Sequence, residues 1–163
     1  MSTYTPIATQ TLGSATALVT FSSIPQGYTD LVFVFTGTNA TSSNGMRVRV
    51  NGDTGSNYSF TQLYGNGSSA ASARGTSETS SSIFVDVGAS QSTGIAHFQN
   101  YSNSTTYKTI LSRGSAANTT IDASVGLWRN TAAITSMEFR LTGGATSNFA
   151  TGSTFTLYGI AAA

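Results

Sequence analysis

The sequence has no cysteine and very little charge. Without cysteine there is neither a disulfide framework nor thiolate chemistry. Charged residues make up 8% of the 163 residues, whereas a typical soluble domain has about 25%. The net charge is +1, and Lys108 is the single lysine. The sequence therefore has neither a basic stripe for binding nucleic acid nor a polybasic segment for binding a membrane surface. We predict no nucleic-acid partner and no membrane partner.

Long apolar runs and helical patterns are also missing. The longest apolar run, residues 31–35, is far too short for a membrane-spanning helix. The first ten residues, MSTYTPIATQ, lack a basic segment followed by an apolar one, so no signal peptide is predicted. No window keeps a helical period for more than about two turns. These features predict an all-β protein.

Residues for catalysis or metal binding are scarce. His97 is the only histidine, so a site with two histidines is excluded. No Gly-x-Ser-x-Gly nucleophile motif occurs. Glycoside hydrolysis needs two carboxylates that flank the sugar. Asp86 and Asp122 could form such a pair, but their spacing in the sequence does not indicate that they meet. We therefore predict no enzymatic activity, no catalytic residue, no metal and no cofactor.

The turn at residues 51–57, NGDTGSN, superficially resembles a calcium loop. A calcium loop of the EF-hand type needs several acidic positions and a closing glutamate, and only Asp53 is acidic here. Asn-Gly is also a strong hairpin signal. The segment is accordingly predicted to be a hairpin turn.

Alternating apolar residues predict the strands of the core. Residues 46–50 alternate, and residues 31–35 are apolar at every position, which is typical of a central strand covered on both faces. The predicted core strands contribute Leu31, Phe33, Phe35, Met46, Val48 and Val50.

About ten or eleven such strands are separated by Gly-, Asn- and Ser-rich turns. They predict one antiparallel β-sandwich domain of jelly-roll type over residues 1–163, with two sheets of about four strands each. Residues 1–6 are expected to form a short arm and residues 161–163 a short tail. The first strands and the last strand are expected to close the fold, and residues 65–82 to form a long polar loop.

Several polar or aromatic side chains are candidates for contacts with partners. Interface or glycan contacts are assigned to Tyr64, Tyr101, Trp128, Arg47 and Arg49. For Trp128 the alternative is burial, because tryptophan has a large apolar area. The low charge and the absence of protective lysines at strand edges favour a chain whose surface is covered in an assembly.

An ordered set of short segments resembles a group of small tailed-phage virion proteins. The set comprises IPQGY at residues 24–28, NGD at 51–53 with SNY at 56–58, GLW at 126–128 with AITS at 133–136, and GSTFTLYGI at 152–160. The similarity extends from about residue 7 to residue 160.

The resemblance implies a non-enzymatic structural protein on the outer surface of a phage particle. It implies a homotrimer that decorates the head as a cement or spike protein, with the major capsid protein as its partner. The alternative is a module associated with the tail fibre or baseplate that binds a host surface glycan.

Overall fold

The computed structural model describes residues 4–41 and 43–161, which form twelve β-strands and a single 3₁₀ turn at Gly144–Thr146. The strands are β1 Thr5–Thr11, β2 Leu18–Phe21, β3 Asp30–Gly37, β4 Asn44–Val50, β5 Tyr58–Gly65, β6 Ala70–Glu78, β7 Ser81–Val87, β8 Ser92–Phe98, β9 Lys108–Ala116, β10 Thr120–Trp128, β11 Met137–Leu141 and β12 Thr154–Ile160.

Two antiparallel sheets pack face to face, which confirms the predicted all-β sandwich. The large sheet has eight strands in the order β1-β12-β3-β8-β9-β10-β5-β6, and the small sheet has four in the order β2-β11-β4-β7. The prediction of about four strands in each sheet is wrong. The difference arises because the hairpins β5–β6 and β9–β10 both extend the large sheet.

The order of the other eight strands has a recognisable pattern. With both hairpins set aside, β1-β12-β3-β8 faces β2-β11-β4-β7. The chain changes sheets at every step along these eight strands except between β4 and β7, which are neighbours in the small sheet. Most connections in this part of the chain therefore cross between the two sheets of the sandwich.

The two ends of the chain meet at one edge of the large sheet. β1 pairs with β12, as expected for a closing pair. The predicted arm over residues 1–6 is too long, because Thr5 and Pro6 already belong to β1. Pro6 and a bulge between Pro6 and Ala8 protect this edge from further strand pairing. Residues 1–3 of the predicted arm and 162–163 of the predicted tail lie outside the described residues.

An aromatic cluster fills the space between the sheets. Phe33 of β3 stacks on Phe139 of β11 with ring centroids 3.9 Å apart, which joins the two sheets at their centres. Phe35, Phe149 and Phe155 continue the cluster on one side. The predicted core residues, each with no exposed area, all lie in this core: Leu31, Phe33, Phe35, Met46, Val48 and Val50.

Side chains of the large sheet complete the free edge of β7. The Asp122 carboxylate accepts the Val85 N–H at 3.0 Å, and the Ser112 hydroxyl donates to the Ile83 carbonyl at 2.6 Å. Polar side chains of β9 and β10 thus take the place of a neighbouring strand. Satisfying buried backbone groups in this way is necessary where no further strand is available.

β7 lies close to the large sheet because two glycines face it. Gly94 of β8 and Gly114 of β9 are direct register partners. The Phe84 ring of β7 occupies the space above both, and a Cβ at either position would overlap that ring. Glycine is therefore required here for packing rather than for a turn.

The prediction of a long loop over residues 65–82 is wrong. It contains β6 and the start of β7, with a short turn at each side of β6. β6 is an edge strand whose side chains are mostly exposed on both faces. Since neither face is buried, its sequence of Ala, Ser and Thr shows no apolar alternation.

Replacing Gly94 with alanine tests the close packing of β7. Because the new methyl group would overlap the Phe84 ring, we expect Gly94→Ala to lower the unfolding free energy by about 1–3 kcal/mol. Urea unfolding measures the change. Gly13→Ala is the matched control, since a Cβ there meets nothing within 4 Å. Equal midpoints for the two variants would contradict the prediction.

Candidate functional site

The outer face of the large sheet carries an apolar surface. We define the apolar face by side chains from five adjacent strands: Val34, Leu63, Ile95, Leu111, Ile121, Ala123 and Val125. Leu63 is 65% exposed, Ile121 68% and Val125 51%. Exposure of this extent for three branched apolar side chains on one sheet makes this face a candidate interaction surface.

The strand register places four of these side chains in one continuous row. Val34 lies opposite Ile95, and Ala123 lies opposite Leu63. Arg113 lies between Ile95 and Ala123 in the same row. The row lines a shallow depression of about 780 Å³. A depression this large and this apolar can accommodate side chains of another molecule.

β10 explains why the face is apolar. Ile121, Ala123 and Val125 point outward and are exposed, whereas Asp122 and Ser124 point inward and are buried. The usual pattern of apolar residues inside and polar residues outside is reversed over this part of the strand. Sequence reasoning identified the strand but missed the reversal, because alternation does not tell which side faces the core.

β3 shows the same feature less strongly. Phe33 and Phe35 point into the core, and Val34 points outward into the depression, where it is half-buried. The prediction that both faces of this strand are covered is confirmed in part: on the outward side Val32 is buried, whereas Val34 is half-buried.

His97 belongs to a structural contact beside this face. Its Nε2 lies 3.0 Å from Oδ2 of Asp30, and Oδ1 of Asp30 accepts the Asn100 N–H at 2.7 Å. The aspartate thus joins the start of β3 to the end of β8. Among the described residues, no three histidine or acidic side chains are grouped so that they could hold a metal ion.

Trp128 is buried, with 1% of its surface exposed, so its assignment as an interface or glycan contact is wrong. Its Nε1 donates to Oδ2 of Asp53 at 2.7 Å, and its ring stacks on Tyr58. This hydrogen bond satisfies the indole N–H inside the protein, so the side chain is anchored to the turn instead of facing a partner.

Asp53 organises the turn at residues 51–57. Its carboxylate also accepts the Gly55 N–H and the Asn57 amide. Burial raises the pKa of Asp53, but the hydrogen bonds from Trp128, Asn57 and Gly55 outweigh burial and leave the pKa lowered. Since donors surround the carboxylate, the geometry is that of a hairpin turn and not of a calcium loop.

Tyr101 is likewise buried, and its assignment as a contact residue is wrong. Its hydroxyl donates to the Pro25 carbonyl, which tethers the segment after β8 to the turn before β3. Tyr64 is half-buried, and as the register partner of Asp122 it points to the inner side of the large sheet, where it lines a smaller pocket with Asn44 and Thr120. Of the three aromatic candidates, Tyr64 alone reaches a surface where a partner could touch it.

Arg47 and Arg49 lie on the outer face of the small sheet, as their alternation predicted. Arg47 pairs with Glu78 at 3.4 Å, and Arg49 pairs with Glu138 at 3.2 Å. Both ion pairs form within one chain.

Asp86 and Asp122 are neighbours in the interior and do not flank an open cleft. Asp86 accepts hydrogen bonds from Ser43, Thr119 and Thr120. Burial, together with the charge of Asp86, raises the pKa of Asp122 to about 6. Since Asp122 is 4% exposed and its carboxylate serves the edge of β7, the structure assigns this residue to the fold.

In comparisons with known proteins, no family model and no curated protein matches the chain. The part of the chain that the structure describes has no helix with the length and apolar character needed to cross a bilayer.

Replacing Asp122 with asparagine tests its buried charge. A carboxyl with a pKa of about 6 in the folded state and about 3.9 in the unfolded state binds more protons when folded. The unfolding free energy of the wild type therefore falls as pH rises through this window. Asp122→Asn keeps an acceptor for the Val85 N–H and removes the ionisation.

We expect Asp122→Asn to be more stable than the wild type at pH 7 by about 2–3 kcal/mol. At pH 4 the two proteins should be close to equal, because the wild-type carboxyl is then neutral. Urea unfolding at both pH values measures the difference. A difference that does not change with pH would contradict the raised pKa.

Proposed function

We propose that this protein is a non-enzymatic structural component of a phage particle, a homotrimer that decorates the outer surface of the head. The apolar face carries the proposal, because it gives the chain a surface for association. The resemblance of the short sequence segments to virion proteins supplies the biological setting. In this proposal the protein acts by binding to copies of itself and to the capsid.

The size of the apolar face suits a protein interface. Leu63, Ile121 and Val125 are each more than half exposed, and a contiguous apolar patch of a few hundred Å² is often functional. A standard interface buries about 800 Å² on each partner, with an apolar centre and a polar rim. Thr156 and Ser72 lie at the two ends of the row through Val34 and Leu63, and they provide such a rim.

The proposed occupant of the apolar face is a second copy of the chain. The face carries little charge, so it offers little to select a strongly acidic or basic partner. It lies on regular paired strands, which suits packing against another sheet. Closed symmetric assemblies of identical chains are the commonest way to cover such a surface.

Association would also explain how the protein strengthens a shell. A trimer that binds only to assembled capsomers stabilises that assembled state by mass action. Each contact can be modest, because many copies bind to one particle. No chemical step is needed. The glycan alternative has less support, because Trp128 and Tyr101 are buried and only Tyr64 of its three aromatic platforms is partly exposed.

The oligomeric state tests self-association. We expect the purified chain to have a mass near three times 16.8 kDa in sedimentation equilibrium. Leu63→Lys adds a second positive charge to the row that contains Arg113 and should shift the protein to monomer without loss of stability. Leu18→Lys is the control, since Leu18 is 42% exposed on the other sheet. A wild-type monomer at high concentration would overturn the proposed use of this face.

Binding to phage heads tests the location separately. We expect the wild type to co-sediment with undecorated heads and to raise the temperature at which they release DNA. Leu63→Lys should bind much more weakly, because a monomer lacks the combined contacts of three subunits. A stable trimer that never co-sediments with heads would overturn capsid decoration and leave self-association intact.

A further inference from the structure

The outer face of the small sheet carries a charged cluster that self-association through the large sheet leaves open. The cluster consists of Arg47, Arg49, Arg140, Glu78 and Glu138. Glu138 accepts from both Arg49 and Arg140, at 3.2 and 2.9 Å. Three guanidinium groups therefore share two carboxylates, and one positive charge remains unmatched within the cluster.

Arg47 and Arg140 lie directly opposite each other on paired strands. Like charges in this position destabilise a sheet. Each arginine pairs with a different glutamate, Arg47 with Glu78 and Arg140 with Glu138. An anionic group placed between the two guanidinium groups would relieve their repulsion.

Arg47 has donors that the protein satisfies poorly. Its contacts with the Glu78 carboxylate and the Ser80 carbonyl are both 3.4 Å long, beyond the usual range of N–H···O bonds. Its Nε is buried and has no hydrogen-bond partner among the described residues. The guanidinium lies over the Phe60 ring, 4.6 Å from its centroid, which holds it in position.

A groove of about 450 Å³ opens beside these two arginines. Ser80 and Thr142 add polar atoms to its wall, and Leu18 adds an apolar surface. Small-molecule sites have volumes of about 300–1,000 Å³, so the groove can hold one sugar ring. Glu78 also lines it and offers carboxylate oxygens.

We propose that this groove binds an acidic sugar, with the sugar carboxylate between Arg47 and Arg140. Paired guanidinium groups bind carboxylates with short, charge-assisted hydrogen bonds. Glu78 selects the rest of the ligand, because it repels a simple anion and accepts hydrogen bonds from sugar hydroxyls. The site is independent of the apolar face. In addition to the surface for self-association, it gives the protein a separate surface for binding a glycan.

NMR titration of the full chain with glucuronic acid, glucose and acetate tests the site. We expect glucuronic acid to bind at millimolar concentration and to shift the amides of Arg47, Ser80 and Arg140. Glucose and acetate should each bind at least about tenfold more weakly, since each lacks one half of the recognised chemistry.

Arg140→Gln should weaken glucuronic acid binding by about tenfold or more, because it removes one of two charge-assisted contacts. Arg140 is 40% exposed, so the fold should persist, and a thermal unfolding curve checks this. Arg74→Gln, on the exposed edge strand β6 and outside the groove, is the control and should bind as the wild type does.

Two results would overturn the proposal. Acetate binding as tightly as glucuronic acid would show a simple anion site without sugar recognition. The absence of any amide shift with all three ligands up to about 50 mM would show that the groove is not a binding site. This concentration is well above the millimolar affinity expected of a single sugar. Neither result bears on the oligomeric state, so self-association and sugar binding are tested independently.

Discussion

The packing of β7 against the large sheet is the constraint on which the rest of the structure depends. Phe84 fits only because Gly94 and Gly114 leave space beneath it. This close approach brings the free edge of β7 near the inner face of β9 and β10. Its backbone groups must then find partners there, since an unpaired buried N–H or C=O costs about 1–3 kcal/mol. Asp122 and Ser112 supply those partners.

The same constraint determines the chemistry of the outer surface. Successive residues of a strand point to opposite faces, so polar side chains directed at β7 place their neighbours outside. Asp122 and Ser124 point inward, and Ile121, Ala123 and Val125 consequently point outward. The apolar face is thus the reverse side of the hydrogen bonds that complete β7. A single strand carries both a polar contact with the small sheet and an apolar surface for association.

The sequence predicted those parts of the fold where large apolar residues alternate toward one core. β3, β4 and β11 are such strands, and their inward residues are buried. The orientation of β10 could not be predicted, because it depends on the backbone of β7 and not on a pattern within β10. β6 has no buried face to produce a pattern. The Trp128–Asp53 hydrogen bond joins residues 75 positions apart, so no local signal marks it.

The two outer faces differ in a way that fits a division of roles. The large sheet presents branched apolar side chains with little charge, whereas the small sheet gathers three of the seven basic residues. Copies that associate through the large sheet would leave the small sheets pointing away from the contact. A charged groove remains hydrated and accessible there, while apolar surface is removed from water. In such an assembly the charged cluster of Arg47, Arg49, Arg140, Glu78 and Glu138 would stay in contact with water, and hydrated charge of this kind opposes further non-specific association.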